Sequence, residues 1–157
     1  MEFSQRIADD CTLSLIRGLP MTIPGGCRCR AVRYSVAAEP IASRICWCRD
    51  CQYFAAGSAT VNLIFPASAV TITGPLRDYV SSADSGNTMH RQFCTQCGTP
   101  VTSASESRPQ LLILRAGTLD DPNIVKPMLS IWTDSAPSWA CIDESLPHTP
   151  RQPPPAA

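Results

Sequence analysis

Residues 25–36 read Gly-Gly-Cys-Arg-Cys-Arg-Ala-Val-Arg-Tyr-Ser-Val. The second half alternates, with Val32, Tyr34 and Val36 on one face of an extended chain, the pattern of a half-buried strand. The first half places two thiols, Cys27 and Cys29, directly ahead of that strand. If the backbone there is also extended, residues i and i+2 share a face and both sulfurs can approach one point. A strand that begins on two converging thiols predicts a small β domain in which a metal adds to the core.

Outward from this stretch, short strand patterns recur. Ala59 to Phe65 alternates less cleanly, with Val61, Leu63 and Phe65 opposite Thr60, Asn62 and Ile64. Val70 to Thr73 is β-branched and stops at Gly74-Pro75, a turn signal. Leu76–Val80, Thr88–Phe93, Leu111–Arg115 and Met128–Trp132 complete the set, with turn residues such as Ser85-Gly86-Asn87 and Asp121-Pro122-Asn123 between them. No stretch keeps a helical period for long. The expected class is mainly β, as several small coiled antiparallel β-sheets stapled by zinc, with little helix.

Nine cysteines in 157 residues carry the chemistry, through their spacing. Cys94-Thr-Gln-Cys97-Gly98 is the most specific group: its turn aims both sulfurs at one point, and the glycine accepts a positive φ. Structural zinc takes four ligands, and Cys27 and Cys29 can supply the other two. Cys46-Trp-Cys48-Arg-Asp-Cys51 then has three thiols and no fourth cysteine beside it. Three protein ligands with one open position is the layout of a reactive zinc. Closure of this site by Cys141, His90 or His148 stands equally on spacing alone; a third reading is partial zinc loading, with the triplet forming a disulfide under oxidation. Zinc on three thiolates is a weak Lewis acid for water but remains thiophilic, so an open site points to thiol chemistry.

Size and charge bound the rest. The length suits one domain with one core. Thirteen basic residues balance thirteen acidic ones without a basic block, which argues against nucleic-acid and anionic-membrane partners. The longest aliphatic run, Leu111 to Leu114, is too short to cross a bilayer. The first twenty residues lack the pattern of a secretory signal, so a cytoplasmic, reducing setting is expected, in which clustered cysteines serve metal or catalysis. Residues 1–20 read as a loose leader or misassigned start, 21–146 as a single zinc-binding β domain, and 147–157 as a Pro-rich disordered tail unable to build ladders.

Taken together, Gly26-Cys27-Arg28-Cys29-Arg30-Ala31-Val32-Arg33-Tyr34, Cys46-Trp47-Cys48-Arg49-Asp50-Cys51, Ala56-Gly57, Gly74-Pro75-Leu76, Phe93-Cys94-Thr95-Gln96-Cys97-Gly98-Thr99 and Gly117-Thr118-Leu119-Asp120-Asp121-Pro122 form a specific set. Ile131-Trp132 and Asp143-Glu144-Ser145-Leu146-Pro147 extend it, so that it spans about residues 21–150. The set resembles the glutathione-dependent formaldehyde-activating enzyme family, which includes the centromere protein V-like domains. The resemblance implies a structural zinc on Cys27, Cys29, Cys94 and Cys97. It implies a second zinc on Cys46, Cys48 and Cys51, associated with glutathione and formaldehyde, and favours the open form of that site.

The expected activity is that of a carbon–sulfur lyase or synthase handling a thiol–aldehyde adduct, with Cys46, Cys48 and Cys51 at its centre. The alternative is a non-catalytic zinc-binding module. Arg44 and Arg49 are candidate partners for substrate carboxylates, and Trp47, Phe54 and Trp132 candidate pocket walls. Trp47 stands where the family often has His, and Gln52 where it often has Arg or Lys; both are expected to border the open position.

Overall fold

The computed structural model describes residues 22–153. The expected leader, residues 1–20, lies outside the described residues, as do residues 154–157 of the tail. Eleven strands and one short helix are described: β1 (Ile23–Gly26), β2 (Arg33–Val36), β3 (Ala42–Cys46), α1 (Arg49–Phe54), β4 (Thr60–Pro66), β5 (Val70–Thr73), β6 (Leu76–Ser82), β7 (Thr88–Cys94), β8 (Pro100–Ser105), β9 (Leu111–Arg115), β10 (Leu129–Ile131) and β11 (His148–Thr149). The mainly β expectation holds. The strands form a three-stranded sheet, β1-β2-β5, and an eight-stranded sheet, β11-β10-β3-β4-β9-β8-β7-β6.

Alternation explains the core. Val32, Tyr34 and Val36 are buried, as the pattern of β2 requires, and Leu63 and Phe65 of β4 are fully buried beneath them. With Ile23, Val101, Leu114 and Leu119 they form one cluster that also includes Cys27 and Cys94. Each large side chain fully buried here contributes roughly 1.5–3 kcal/mol. The less clean half of β4 has its own reason: Thr60 and Asn62 face inward as well, against buried Arg115.

Most pairings are antiparallel, but β10 runs parallel to both β3 and β11. The last pairing corrects the expectation for the tail. Pro147 and Pro150 flank two residues that keep their amide protons, and Ser130 donates its backbone N–H to the Pro147 carbonyl at 2.9 Å. His148 and Thr149 therefore pair with Ser130 and Ile131. Pro-rich composition forbids donors only at the prolines themselves.

Gly74 links the two sheets, joining β5 of the small one to β6 of the large one. Its φ is +103°, and a Cβ there would lie 2.1 Å from the Ala31 carbonyl oxygen. The chain passes this close because β5 pairs with β2, Thr73 opposite Arg33, and Gly74 continues alongside Val32 and Ala31. Gly74→Ala is expected to cost about 3 kcal/mol, from backbone strain and the clash together. Urea unfolding of the two proteins measures this, and a loss below about 1 kcal/mol would contradict the account.

Candidate metal centre

The first cluster forms where β1 turns into β2. The turn is closed by Arg30 N–H donating to the Cys27 carbonyl and Cys27 N–H donating to the Val32 carbonyl, each at 3.0 Å. Arg30 takes a φ of 66° to complete it. Cys27 and Cys29 thus meet through a tight turn, where extended backbone was expected. The reason is the antiparallel pairing of β1 with β2, which forces the intervening residues to reverse direction. Their sulfurs lie 3.4 Å apart, and Cys29 Sγ is 3.8 Å from Cys94 Sγ.

Cys94 ends β7, and the chain turns back through Gly98, whose φ is 70°, donating its N–H to the Cys94 carbonyl at 2.9 Å. The sulfurs of Cys27, Cys29, Cys94 and Cys97 all lie within 4.8 Å of one another. A tetrahedral zinc–thiolate centre needs sulfurs about 3.8 Å apart, so this group can hold a metal ion. Backbone amides already point at it: Val32 N–H donates to Cys27 Sγ at 3.2 Å and Gln96 N–H to Cys94 Sγ at 3.4 Å. The Thr99 hydroxyl, 3.2 Å from Cys97 Sγ, leads the hydrogen bonds that bring that thiol down to about 5.

The second cluster is built from neighbours in sequence. Cys46 closes β3, Cys48 caps α1, and Cys51 sits in its first turn. Trp47 N–H donates to the Ile131 carbonyl at 3.0 Å, fixing the bend between β3 and α1. Buried Gln52 holds that bend from inside, its Nε2 donating to the Trp47 carbonyl at 2.6 Å and the Ser135 carbonyl at 2.8 Å. The three sulfurs lie within 4.8 Å of one another, with Cys46 and Cys51 buried and Cys48 half-buried. Hydrogen bonds from Cys46 and Cys48 hold the Cys51 thiol at about 2, and the neighbouring Arg115 charge adds to the effect. The same sharing pushes Cys46 strongly up.

Among the described residues no fourth sulfur, imidazole or carboxylate joins this group. Cys141 and His148 are exposed elsewhere. His90 lies on β7 between Asp78, 2.5 Å from its Nδ1, and Glu106, 3.2 Å from its Nε2. The described cysteines are all free thiols.

The trio opens into a cleft of about 160 Å³, whose lining includes Asp50, Arg91, Arg108, Arg115 and Trp132. The β6–β7 loop forms its outer wall. Arg91 is held by Asp50 Oδ2 and Ser81 Oγ, each at 2.5 Å, and lies over the Phe54 ring. Arg108 has no side-chain partner among the described residues. Trp132 keeps a left-handed φ of 61°, an uncommon conformation for a bulky residue.

Several expectations change here. Arg44 and Arg49 do not line the cleft: Arg44 lies two residues before Cys46 on β3, opposite Asn62 of β4, and Arg49 donates to Gln52 and lies over Tyr53. Trp47 and Gln52 do not border the cleft either, since both side chains are buried under the bend. Of the three candidate walls only Trp132 lines it; Phe54 faces a separate apolar cleft of about 540 Å³. The cleft arginines were missed because they come from β7, β9 and the β8–β9 loop. The one signal was Arg115 itself, a charge closing an aliphatic run.

The family model for the glutathione-dependent formaldehyde-activating enzyme matches residues 22–135. The chain belongs to that family. No match was found among curated proteins. The fold is similar to the crystal structure of a Rhodobacter sphaeroides protein, with a TM-score of 0.52 and 20% identity, covering 67% of this chain and 92% of that one. The match spans both cysteine clusters, and the family name indicates an enzyme acting on glutathione and formaldehyde.

Two outcomes test the geometry. Reduced protein reconstituted with zinc is expected to hold two equivalents by elemental analysis. Cys48→Ser should lose one and stay folded, whereas Cys94→Ser should lower thermal stability steeply; equal effects would contradict separate roles. Second, His90 is raised, first by Asp78 and then by Glu106. Stability from its charged form is therefore present below the unfolded pKa of about 6.5 and fades as pH rises through the folded value. Its NMR titration midpoint should lie above about 6.5 and fall in Asp78→Asn; an ordinary midpoint in both would refute the contact.

Proposed function

We propose that the protein is a zinc-dependent carbon–sulfur lyase or synthase, making or breaking the adduct of glutathione with formaldehyde, S-hydroxymethylglutathione. The observation that carries this reading is the thiol trio opening into a cleft lined by arginines. The donor set fits zinc: three soft sulfurs close enough to share one ion. Cys46, Cys48 and Cys51 would hold it, and Cys27, Cys29, Cys94 and Cys97 would hold a second, structural one. When bound at the trio, zinc would keep an incoming thiol in its thiolate form.

The chain's own residues do the remaining work. Arg108 offers a free guanidinium for a substrate carboxylate, and Arg91, fixed by Asp50 and Ser81, sets the positive wall beside it. Trp132 covers one side of the cleft. The thiol gives its proton to water on binding, and its sulfur then faces the aldehyde carbon; as the C–S bond forms, the carbonyl electron pair moves to oxygen, which takes a proton back from water. Breakdown is the reverse. Thiols add to formaldehyde unaided, so orientation is the main contribution.

NMR exchange spectroscopy gives the test. The wild type is expected to accelerate adduct exchange above the spontaneous rate, and Cys48→Ser to return it to background. Arg108→Ala should raise the KM for glutathione about tenfold, the size of one lost charged hydrogen bond, with little change in kcat. It should leave 2-mercaptoethanol unaffected. A Cys48→Ser rate equal to wild type would end the catalytic reading.

A further inference from the structure

Arg115 ends β9, and with 9% exposure it is one of the most buried charges described. Its hydrogen bonds go to neutral groups. One terminal nitrogen donates to Asn62 Oδ1 and to Thr60 Oγ1, and the other to Ser103 Oγ at 2.8 Å. Its Nε has no partner. None of the ion pairs among the described residues includes it. A buried guanidinium without an anion is strongly unfavourable, so a nearby negative charge must be part of the design.

The thiol trio supplies that charge. Arg115 and the three thiols line the same cleft. Thr60 lies between the two sites: its oxygen accepts from Asn62 Nδ2 at 3.0 Å and from Arg115. Register makes the arrangement rigid, since β4 pairs Thr60 with Cys46 on one side and Asn62 with Arg115 on the other.

We propose that Arg115 is the resident counter-cation of the trio and selects an anionic sulfur as the fourth ligand. This rests on the reading that the trio holds zinc. A divalent ion on three thiolates carries one negative charge, which the guanidinium cancels. A fourth thiolate then leaves a single net negative charge in a buried site, where without Arg115 it would leave two. Neutral ligands such as imidazole gain nothing from the guanidinium. Arg115 is a positioning residue here, acting through Cys51 and the charge of the site.

A structural role, hydrogen bonding across β4, β8 and β9, makes different predictions. Full-length protein loaded with cobalt(II) reports the ligands through its sulfur-to-metal absorption, with 2-mercaptoethanol and imidazole as probes. Arg115→Met should weaken thiol binding relative to imidazole by about tenfold or more, the order expected for one close charge, and Arg115→Lys should stay within about threefold of wild type. Asn62→Asp keeps the arginine and nearly the same shape but offers it a carboxylate. It should reproduce the Arg115→Met preference while remaining folded, and it decides the matter if Arg115→Met does not fold. An unchanged thiol-to-imidazole ratio in Asn62→Asp overturns the proposal. Wild-type protein that takes up one cobalt, or shows no saturable thiol response, overturns the zinc reading itself, and does so before any variant is compared.

Discussion

Three thiols packed within 4.8 Å of one another, two of them buried, cannot all ionise without a compensating positive charge. Much of the local structure answers that constraint. The bend at Trp47, the single turn from Cys48 to Cys51 and the inward amide of Gln52 bring the sulfurs together. Arg115 places a cation beside them. Like-charged groups are held close only where the surrounding structure leaves them no alternative, and here the central strands β3, β4 and β9 provide that rigidity.

The two clusters are built on different principles. Cys27 and Cys94 belong to the main apolar core, so their sulfurs are placed by the same packing that buries Val32 and Phe65. A metal there would join the β1–β2 turn to the end of β7, two segments that share no strand pairing. The trio has only a small apolar surround, chiefly Ile131, Leu129 and Trp132. Its order comes from hydrogen bonds to the carbonyls of Ile131, Trp47 and Ser135, and its rim stays accessible. A site placed by the core is suited to hold the fold, whereas a site at the rim of a cleft is suited to exchange a ligand.

What the sequence made legible follows the range of the interaction. The β2 and β5 patterns were readable because one apolar face decides each of them, and β9 because it is an unbroken aliphatic run. The trio was readable because all its members lie within six consecutive residues. β1, with its Pro24-Gly25-Gly26, and β8, with alternating small polar residues, carry little propensity and form through pairing with neighbours. The turn at Cys27–Arg30 was misjudged for the same reason: whether backbone continues a strand or reverses depends on the partner strand. The cleft arginines lie furthest from view. Arg91, Arg108 and Arg115 meet only after β7, β8 and β9 have paired.

This explains why Gln52 can replace the Arg or Lys often found in the family without removing positive charge from the cleft. At position 52 the side chain points under the bend and holds two carbonyls, a task that an amide meets with its two N–H donors. Its oxygen accepts from Arg49, so none of these hydrogen bonds goes to a sulfur of the trio. The charge comes instead from β7, β9 and the β8–β9 loop, each arginine in a different electrical state. Arg91 is neutralised by Asp50, Arg115 is shielded by neutral partners and the thiols, and Arg108 is free. Only the free one can meet a new anion without breaking an existing pair. Substrate choice is thus expected to follow Arg108, while the charge of the sulfur centre follows Arg115.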